Sequence, residues 1–168
     1  ERVIRLQAEL LELLDRARKA EANLQEARRN EVSVASRIQS TLLFGKPPET
    51  TRSLEISALS IPSQEVDGDF FDFVSPGGDV VDMMIGDVMG KGIPAALVGA
   101  ATKHQLLRGL NSIPAQPGQL VSPDKIVSYA HEKVTPQLLA IESFVTICYA
   151  RFDETESRLT FVDCGHTK

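Results

Sequence analysis

The first 44 residues contain neither Gly nor Pro, and apolar side chains recur through them at intervals of three and four residues. This spacing continues over five heptads with one lapse, at Glu31, and predicts a long helix with a single apolar seam. At about 1.5 Å per residue such a helix reaches roughly 60 Å, which is longer than a small globular core. We therefore expect a coiled coil that joins two chains in a homodimer, in either orientation, and not a helix lying on its own domain. The seam consists of Val3, Leu6, Leu10, Leu13, Ala17, Ala20, Leu24, Ala27, Val34 and Ile38.

Gly45, Pro47 and Pro48 end this helix. We predict residues 1–44 as a coiled-coil linker for dimerisation and residues 45–168 as a globular domain. Periodicity and turn residues in the second part predict strands grouped before and after a pair of helices, which is typical of an α+β fold. The predicted strands are Leu54–Ile61, Val66–Val74, Val80–Gly86, Ser143–Phe152 and Arg158–Asp163, and the predicted helices run from about Ile93 to Leu110 and from Ser122 onward.

Charge and composition argue against several classes of protein. The formal net charge of −5 and the lack of a Lys/Arg cluster disfavour a nucleic-acid partner. Hydrophobic residues make up 42% of the chain, yet no apolar run approaches the roughly 18 residues of a membrane span. Cys148 and Cys164 lack metal-type spacing, so free thiols and a cytoplasmic location are the simplest interpretation. A membrane tether of the parent protein would belong to an upstream sensor domain.

Two short segments place aspartates beside glycine where a predicted strand meets a turn. Asp69 lies in the segment Val66–Phe73, and Asp87 lies in Ile85–Ala95. Paired acid-bearing turns of this kind indicate a site for a hard divalent cation with oxygen ligands. From the residues alone, turn capping is the alternative, because aspartate is common beside glycine. Lys91 stands in a Gly-Lys-Gly that lacks the rest of a P-loop, so a nucleotide site is not indicated.

Five segments resemble, in order and spacing, the SpoIIE/RsbU-like bacterial branch of the PPM (type-2C) protein serine/threonine phosphatases. They are Ala35–Leu43, Val66–Asp72, Ile85–Leu97, Phe144–Thr146 and Cys164–His166. The resemblance implies an antiparallel β-sandwich of two sheets flanked by helices, with a pair of Mn²⁺ or Mg²⁺ ions at one end. It also implies a hydrolase of bacterial signalling, in stress response and sigma-factor regulation, whose substrate is a phosphorylated anti-sigma-factor antagonist or a similar STAS-type protein.

The resemblance assigns roles to individual residues where the motifs match. Asp87 corresponds to the aspartate that bridges both metal ions, and it is the catalytic residue of this assignment. The backbone carbonyl of Val88 corresponds to a further ligand, and Asp69 to an acid that joins them at one ion. The family shows Gly-Gly-Asp where this chain has Asp67-Gly68-Asp69. We expect the added carboxylate of Asp67 to face water.

The family pattern continues beyond Lys168 with further strands and two later aspartates that complete the metal site. Two carboxylates and a carbonyl are too few ligands to hold a divalent cation tightly. Residues 1–168 alone are therefore expected to bind metal weakly and to turn over slowly or not at all, with the parent protein as the enzyme. The alternative is a non-catalytic dimerisation and switch module, or an inactive truncated phosphatase.

Overall fold

The computed structural model describes residues 1–49, 51–61, 66–116 and 118–166. These residues form one long helix, two strands, two helices and two further strands in that order. The elements are α1 (Arg2–Leu43), β1 (Phe70–Val74), β2 (Val80–Val88), α2 (Gly92–Ser112), α3 (Pro123–Ala140), β3 (Val145–Asp153) and β4 (Arg158–Cys164).

The four strands form one antiparallel sheet in the order β1-β2-β3-β4. Because side chains alternate between the two faces of a sheet, each strand presents one face to α2 and α3 and one face away from them. Met84 and Tyr149 are register partners on the helical face and are almost fully buried. The core is made by this face and the helices, and its buried residues are Leu43, Phe70, Met84, Val88, Ala95, Leu106, Val121, Ile126, Val127, Ala130, Ile147 and Tyr149.

The opposite face of the sheet is apolar but open. Ile85, Leu159 and Phe161 lie on this face and are 44%, 54% and 63% exposed. The predicted combination of helices with an antiparallel sheet is confirmed. The described residues form a single sheet, however, so the second sheet of the sandwich is not made by this part of the chain.

Two strand predictions were wrong in detail. No strand forms over residues 54–61, where Leu59 and Ile61 are each 82% exposed. A strand needs a backbone partner, and this segment has no ladder with the described residues. The strand predicted from Val66 begins instead at Phe70. Residues 62–65, between the two predicted strands, lie outside the described residues.

Helix α1 is a single unbroken helix, as its freedom from Gly and Pro predicts. Along most of its length the apolar side chains are exposed, for example Leu10 at 57% and Leu24 at 71%. Only its C-terminal end packs on the globular part, where Gln39 and Leu43 are buried and contacts form with α2 and β1. Pairing with a second chain stays a prediction. None of the described helices has the length and apolar character that crossing a membrane requires.

A buried ionic network fixes the helical face of the sheet to the loop before α3. Asp82 is fully buried and accepts hydrogen bonds from Arg151 Nε and Nη2, each at 2.6 Å, and from the Tyr149 hydroxyl at 2.6 Å. Arg151 Nη1 donates a further hydrogen bond to the Val121 carbonyl oxygen at 2.5 Å. Burial, followed by the neighbouring Asp82 charge, raises the pKa of Tyr149. The phenol therefore stays protonated and acts as a donor.

Candidate metal centre

The two acid-bearing turns meet at one end of the β1-β2 hairpin. The strands are antiparallel and Phe70 pairs with Gly86, so the residue before β1 lies beside the end of β2. Asp69 directly precedes Phe70, and Asp87 directly follows Gly86. The two aspartates are apart in the sequence, but this strand register brings their carboxylates together.

A cleft of about 320 Å³ opens at this point. Its walls come from the turn before β1, from the end of β2 and the turn that leads into α2, and from the residue before β3. The residues that line it are Ile61, Asp67, Gly68, Asp69, Asp87, Val88, Met89, Gly90, Lys91 and Phe144. The three predicted site residues, Asp69, Asp87 and Val88, thus line the same cleft.

The pKa of Asp69 is raised above its ordinary value. Partial burial is the largest cause, followed by the negative charge of Asp87 and a hydrogen bond with its side chain. Asp67 raises the pKa further, and His166 opposes the shift. Two carboxylates that repel each other in this way gain from a cation between them, because an opposite charge favours the ionised form of both. The donor set of carboxylate and carbonyl oxygens also suits Mg²⁺ or Mn²⁺.

Two glycines allow the backbone to form the cleft. A Cβ at Gly68 would lie 2.6 Å from the Val88 carbonyl oxygen, so a side chain there would push the turn before β1 away from the end of β2. Gly90 has φ of +103°, a backbone conformation that side-chain-bearing residues rarely adopt. The glycines of the sequence motif therefore position the Val88 carbonyl and the turn that follows Asp87.

Asp67 does not face water as predicted: it is only 9% exposed. Its backbone is bound by Gln39 of α1, whose Nε2 donates to the Asp67 carbonyl oxygen at 2.5 Å and whose Oε1 accepts from the Asp67 amide at 3.3 Å. Sequence reasoning missed this contact. A signal was present, because Gln39 lies four residues from both Ala35 and Leu43 and is a polar residue on the buried face of the helix.

His166 lies at the edge of the site. Its Nδ1 is 3.1 Å from Thr146 Oγ1, and Thr146 is the register partner of Asp87. The amide of His166 donates to Asp163 Oδ1 at 3.0 Å. These contacts hold the end of β4 against β3.

The described residues contain no group of three or more His, Cys, Asp and Glu side chains placed to hold a metal ion. The protein oxygens that the structure brings together are the carboxylates of Asp69 and Asp87 and the carbonyl of Val88 in the same cleft. This set fits one side of a divalent-cation site in its chemistry but has too few ligands to enclose an ion.

Comparisons with known proteins agree on one family. The sequence profile of the Stage II sporulation protein E (SpoIIE) family matches residues 77–168, which is more than half of the chain. The phosphoserine phosphatase RsbU of Bacillus subtilis (strain 168) is 30% identical over 143 residues. That alignment takes in 85% of this chain and 40% of RsbU, so the chain spans well under half the length of this relative.

One solved structure shows the same architecture. The SiaA-PP2C domain of Pseudomonas aeruginosa superposes with a TM-score of 0.65 at 20% identity, covering 83% of this chain and 55% of that chain. The RsbU and RsbW domains of a Mycobacterium tuberculosis protein give a TM-score of 0.45 at 25% identity, covering 63% of this chain and 27% of the other. The fold assignment rests on the first of these. The resemblance seen in the sequence motifs is confirmed, and the chain belongs to the SpoIIE family, with the fold of a PP2C-type phosphatase domain that these residues form in part.

Proposed function

We propose that this chain is part of a metal-dependent protein serine/threonine phosphatase of a bacterial signalling pathway. The substrate would be a phosphoserine or phosphothreonine protein, such as a STAS-type anti-sigma-factor antagonist. The observation that carries the proposal is the convergence of Asp69 and Asp87 in one cleft, where burial and then the charge of Asp87 raise the pKa of Asp69. Membership of the SpoIIE family and the similarity to a phosphoserine phosphatase support the same reaction class.

The chemistry of the reaction explains why such a cleft needs cations. Two Mn²⁺ or Mg²⁺ ions, when bound, supply positive charge that screens the phosphate dianion and makes water a nucleophile at neutral pH. In this proposal Asp87 would hold both ions, and Asp69 and the Val88 carbonyl would hold one of them. Val88 lines the cleft next to the turn around Gly90, and the exposed side chains of Met89 and Phe144 form an apolar rim around the cleft.

Release of phosphate from a phosphoserine protein tests the proposal directly. We expect the protein in its full natural length to hydrolyse such a substrate with Mn²⁺ or Mg²⁺, to lose the activity with a chelator and to regain it when metal is restored. Residues 1–168 alone should show weak metal binding and little turnover, because the cleft has too few ligands. A full-length protein that binds neither metal nor phosphoprotein substrate would instead favour the non-catalytic dimerisation module.

We also propose that α1 regulates the site. Its apolar side chains are exposed, as expected of a seam that a second copy covers, and an upstream sensor would act through this homodimer. At its other end Gln39 binds the backbone of Asp67, which lines the cleft. A rotation of the paired helices would therefore move the turn that carries Asp69, which supplies the two-state element that regulation requires.

Ala20→Pro is the test of this regulatory role. Proline in the interior of a helix costs about 3 kcal/mol or more, and Ala20 is exposed in the middle of α1. We expect the variant to lose dimerisation in sedimentation experiments and to lose the regulated change in activity, while the globular part unfolds at the same temperature. Glu21→Ala is the matched control, because Glu21 is exposed beside Ala20 and alanine is the best helix former. Unchanged regulation in the Ala20→Pro protein would contradict the proposal.

A further inference from the structure

We infer that Lys91 binds the phosphate group of the substrate, an inference that rests on the proposed phosphatase function. Among the described residues that line the cleft, Lys91 is the only one with a positively charged side chain, whereas Asp67, Asp69 and Asp87 contribute carboxylates. The carboxylates of this cleft would repel a phosphate dianion, whereas Lys91 and the cations that the cleft is proposed to hold would attract it. The protein's own attraction for the anion is therefore concentrated at this one residue.

The backbone of Lys91 is held firmly against the acidic turn. Lys91 forms an isolated antiparallel bridge with Asp67, and the amide of the next residue, Gly92, donates to the Val66 carbonyl oxygen at 2.9 Å. Both neighbouring glycines have positive φ, +103° at Gly90 and +76° at Gly92. This backbone conformation favours a glycine on each side of Lys91. It places the Cβ end of the Lys91 side chain at the wall of the cleft.

The ammonium group of Lys91 is available, unlike that of the largely buried Lys103. Lys91 is exposed and makes no ion pair with any residue in the described part of the chain. By contrast, the Lys103 ammonium is bound by Asp72 at 2.8 Å and by the Leu42 carbonyl oxygen at 2.8 Å, with only 10% of its side chain exposed. A flexible four-carbon stem and three donors let Lys91 follow a phosphate oxygen into the cleft.

The energetics favour an anionic group such as phosphate over a neutral group as the ligand. Lysine binds phosphate as a point charge, and a hydrogen bond between two ionised groups is about twice as strong as one between neutral groups. The non-bridging oxygens carry this negative charge in the phosphoserine substrate. The same oxygens carry it in the inorganic phosphate that is released. Lys91 should consequently contribute to the binding of free inorganic phosphate as well as to that of the phosphoprotein.

The experiment compares Lys91→Gln and Lys91→Arg with the unsubstituted protein, each in its full natural length. Inorganic phosphate is titrated calorimetrically into protein saturated with Mg²⁺, Mn²⁺ affinity is measured separately by electron paramagnetic resonance, and KM is measured with a phosphoserine protein. We expect Lys91→Gln to weaken phosphate binding and raise KM by about tenfold to a hundredfold. Lys91→Arg should restore most of the binding, because it keeps the charge.

Metal affinity distinguishes the lost contact from a damaged turn. Removal of a positive charge should leave Mn²⁺ binding unchanged or slightly tighter, whereas a distorted turn would weaken phosphate and metal binding together. Lys125→Gln, which removes an exposed lysine of α3 outside the cleft, should change none of these quantities. The inference is overturned if Lys91→Gln binds phosphate as tightly as the unsubstituted protein, or if metal affinity falls in parallel. Failure of the phosphatase proposal is a different result, in which the unsubstituted protein itself neither binds phosphate nor hydrolyses the substrate.

Discussion

Asp87→Asn should lower kcat/KM of the full-length protein toward a phosphoserine protein by about a thousandfold or more, because loss of a direct ligand exceeds the tenfold to hundredfold effect of an outer-shell partner. Asparagine keeps the shape of the side chain but removes the charge that is proposed to bridge two cations. Asp87 is exposed at the cleft and is not part of the core. Its replacement should therefore leave the unfolding temperature nearly unchanged while Mn²⁺ affinity falls.

Asp15→Asn provides the control for a lost carboxylate. Asp15 forms an exposed ion pair with Lys19 on α1 at 2.7 Å, and an exposed pair of this kind contributes at most about 1 kcal/mol. Activity and metal affinity should stay at the level of the unsubstituted protein in this variant. If Asp87→Asn keeps its hydrolytic rate within tenfold and binds Mn²⁺ as before, Asp87 is not a metal ligand and the proposed site is wrong.

Asp82→Ala should destabilise the chain by about 3–5 kcal/mol, the cost of leaving one member of a buried ion pair without its partner. Asp82 is 0% exposed and accepts hydrogen bonds from Nε and Nη2 of Arg151 and from the Tyr149 hydroxyl. Without the carboxylate, the Arg151 guanidinium, whose side chain is only 11% exposed, keeps its charge with no anion to compensate it and with the Val121 carbonyl as a neutral acceptor. Urea unfolding followed by circular dichroism measures the change in the free energy of unfolding.

A double variant separates the uncompensated charge from the lost packing. Asp82→Ala combined with Arg151→Met should be more stable than Asp82→Ala alone, because no buried charge remains. Asp79→Ala is the control at the surface, where Asp79 pairs with Arg52, whose side chain is 74% exposed. It should cost no more than about 1 kcal/mol. Equal losses of unfolding free energy in Asp79→Ala and Asp82→Ala would show that the buried network stabilises the chain no more than an exposed ion pair does.

Local patterns predicted those parts of the fold that depend on neighbours in the chain. Helix α1 ends just before Gly45 because glycine and the prolines after it stop helix propagation, and the β3-β4 hairpin follows its alternating pattern. The proximity of Asp69 and Asp87 could also be predicted from local patterns, since a hairpin brings the start of one strand next to the end of the following strand. The Leu54–Ile61 prediction was wrong because strand formation depends on a partner that alternation alone does not specify.

The sequence marks Gln39 as a polar residue on a buried helix face, but it does not identify the Asp67 backbone as its partner. Gln39 is 28 positions away and reaches the Asp67 backbone only after α1 has packed against α2. The Asp82 network likewise joins groups on two strands and a loop, up to 69 positions apart. Single-sequence patterns record which residues are polar, but they do not record which polar residues meet.

The exposed apolar face of the sheet affects how residues 1–168 associate in solution. β4 is the last strand of the sheet, and its unpaired backbone groups adjoin the exposed side chains of Leu159 and Phe161. Strand edges of this kind template aggregation unless charge or a covering segment prevents it. Residues 1–168 would consequently tend to associate through β4 even after α1 is deleted, so a variant without α1 is the control for any dimer assigned to that helix.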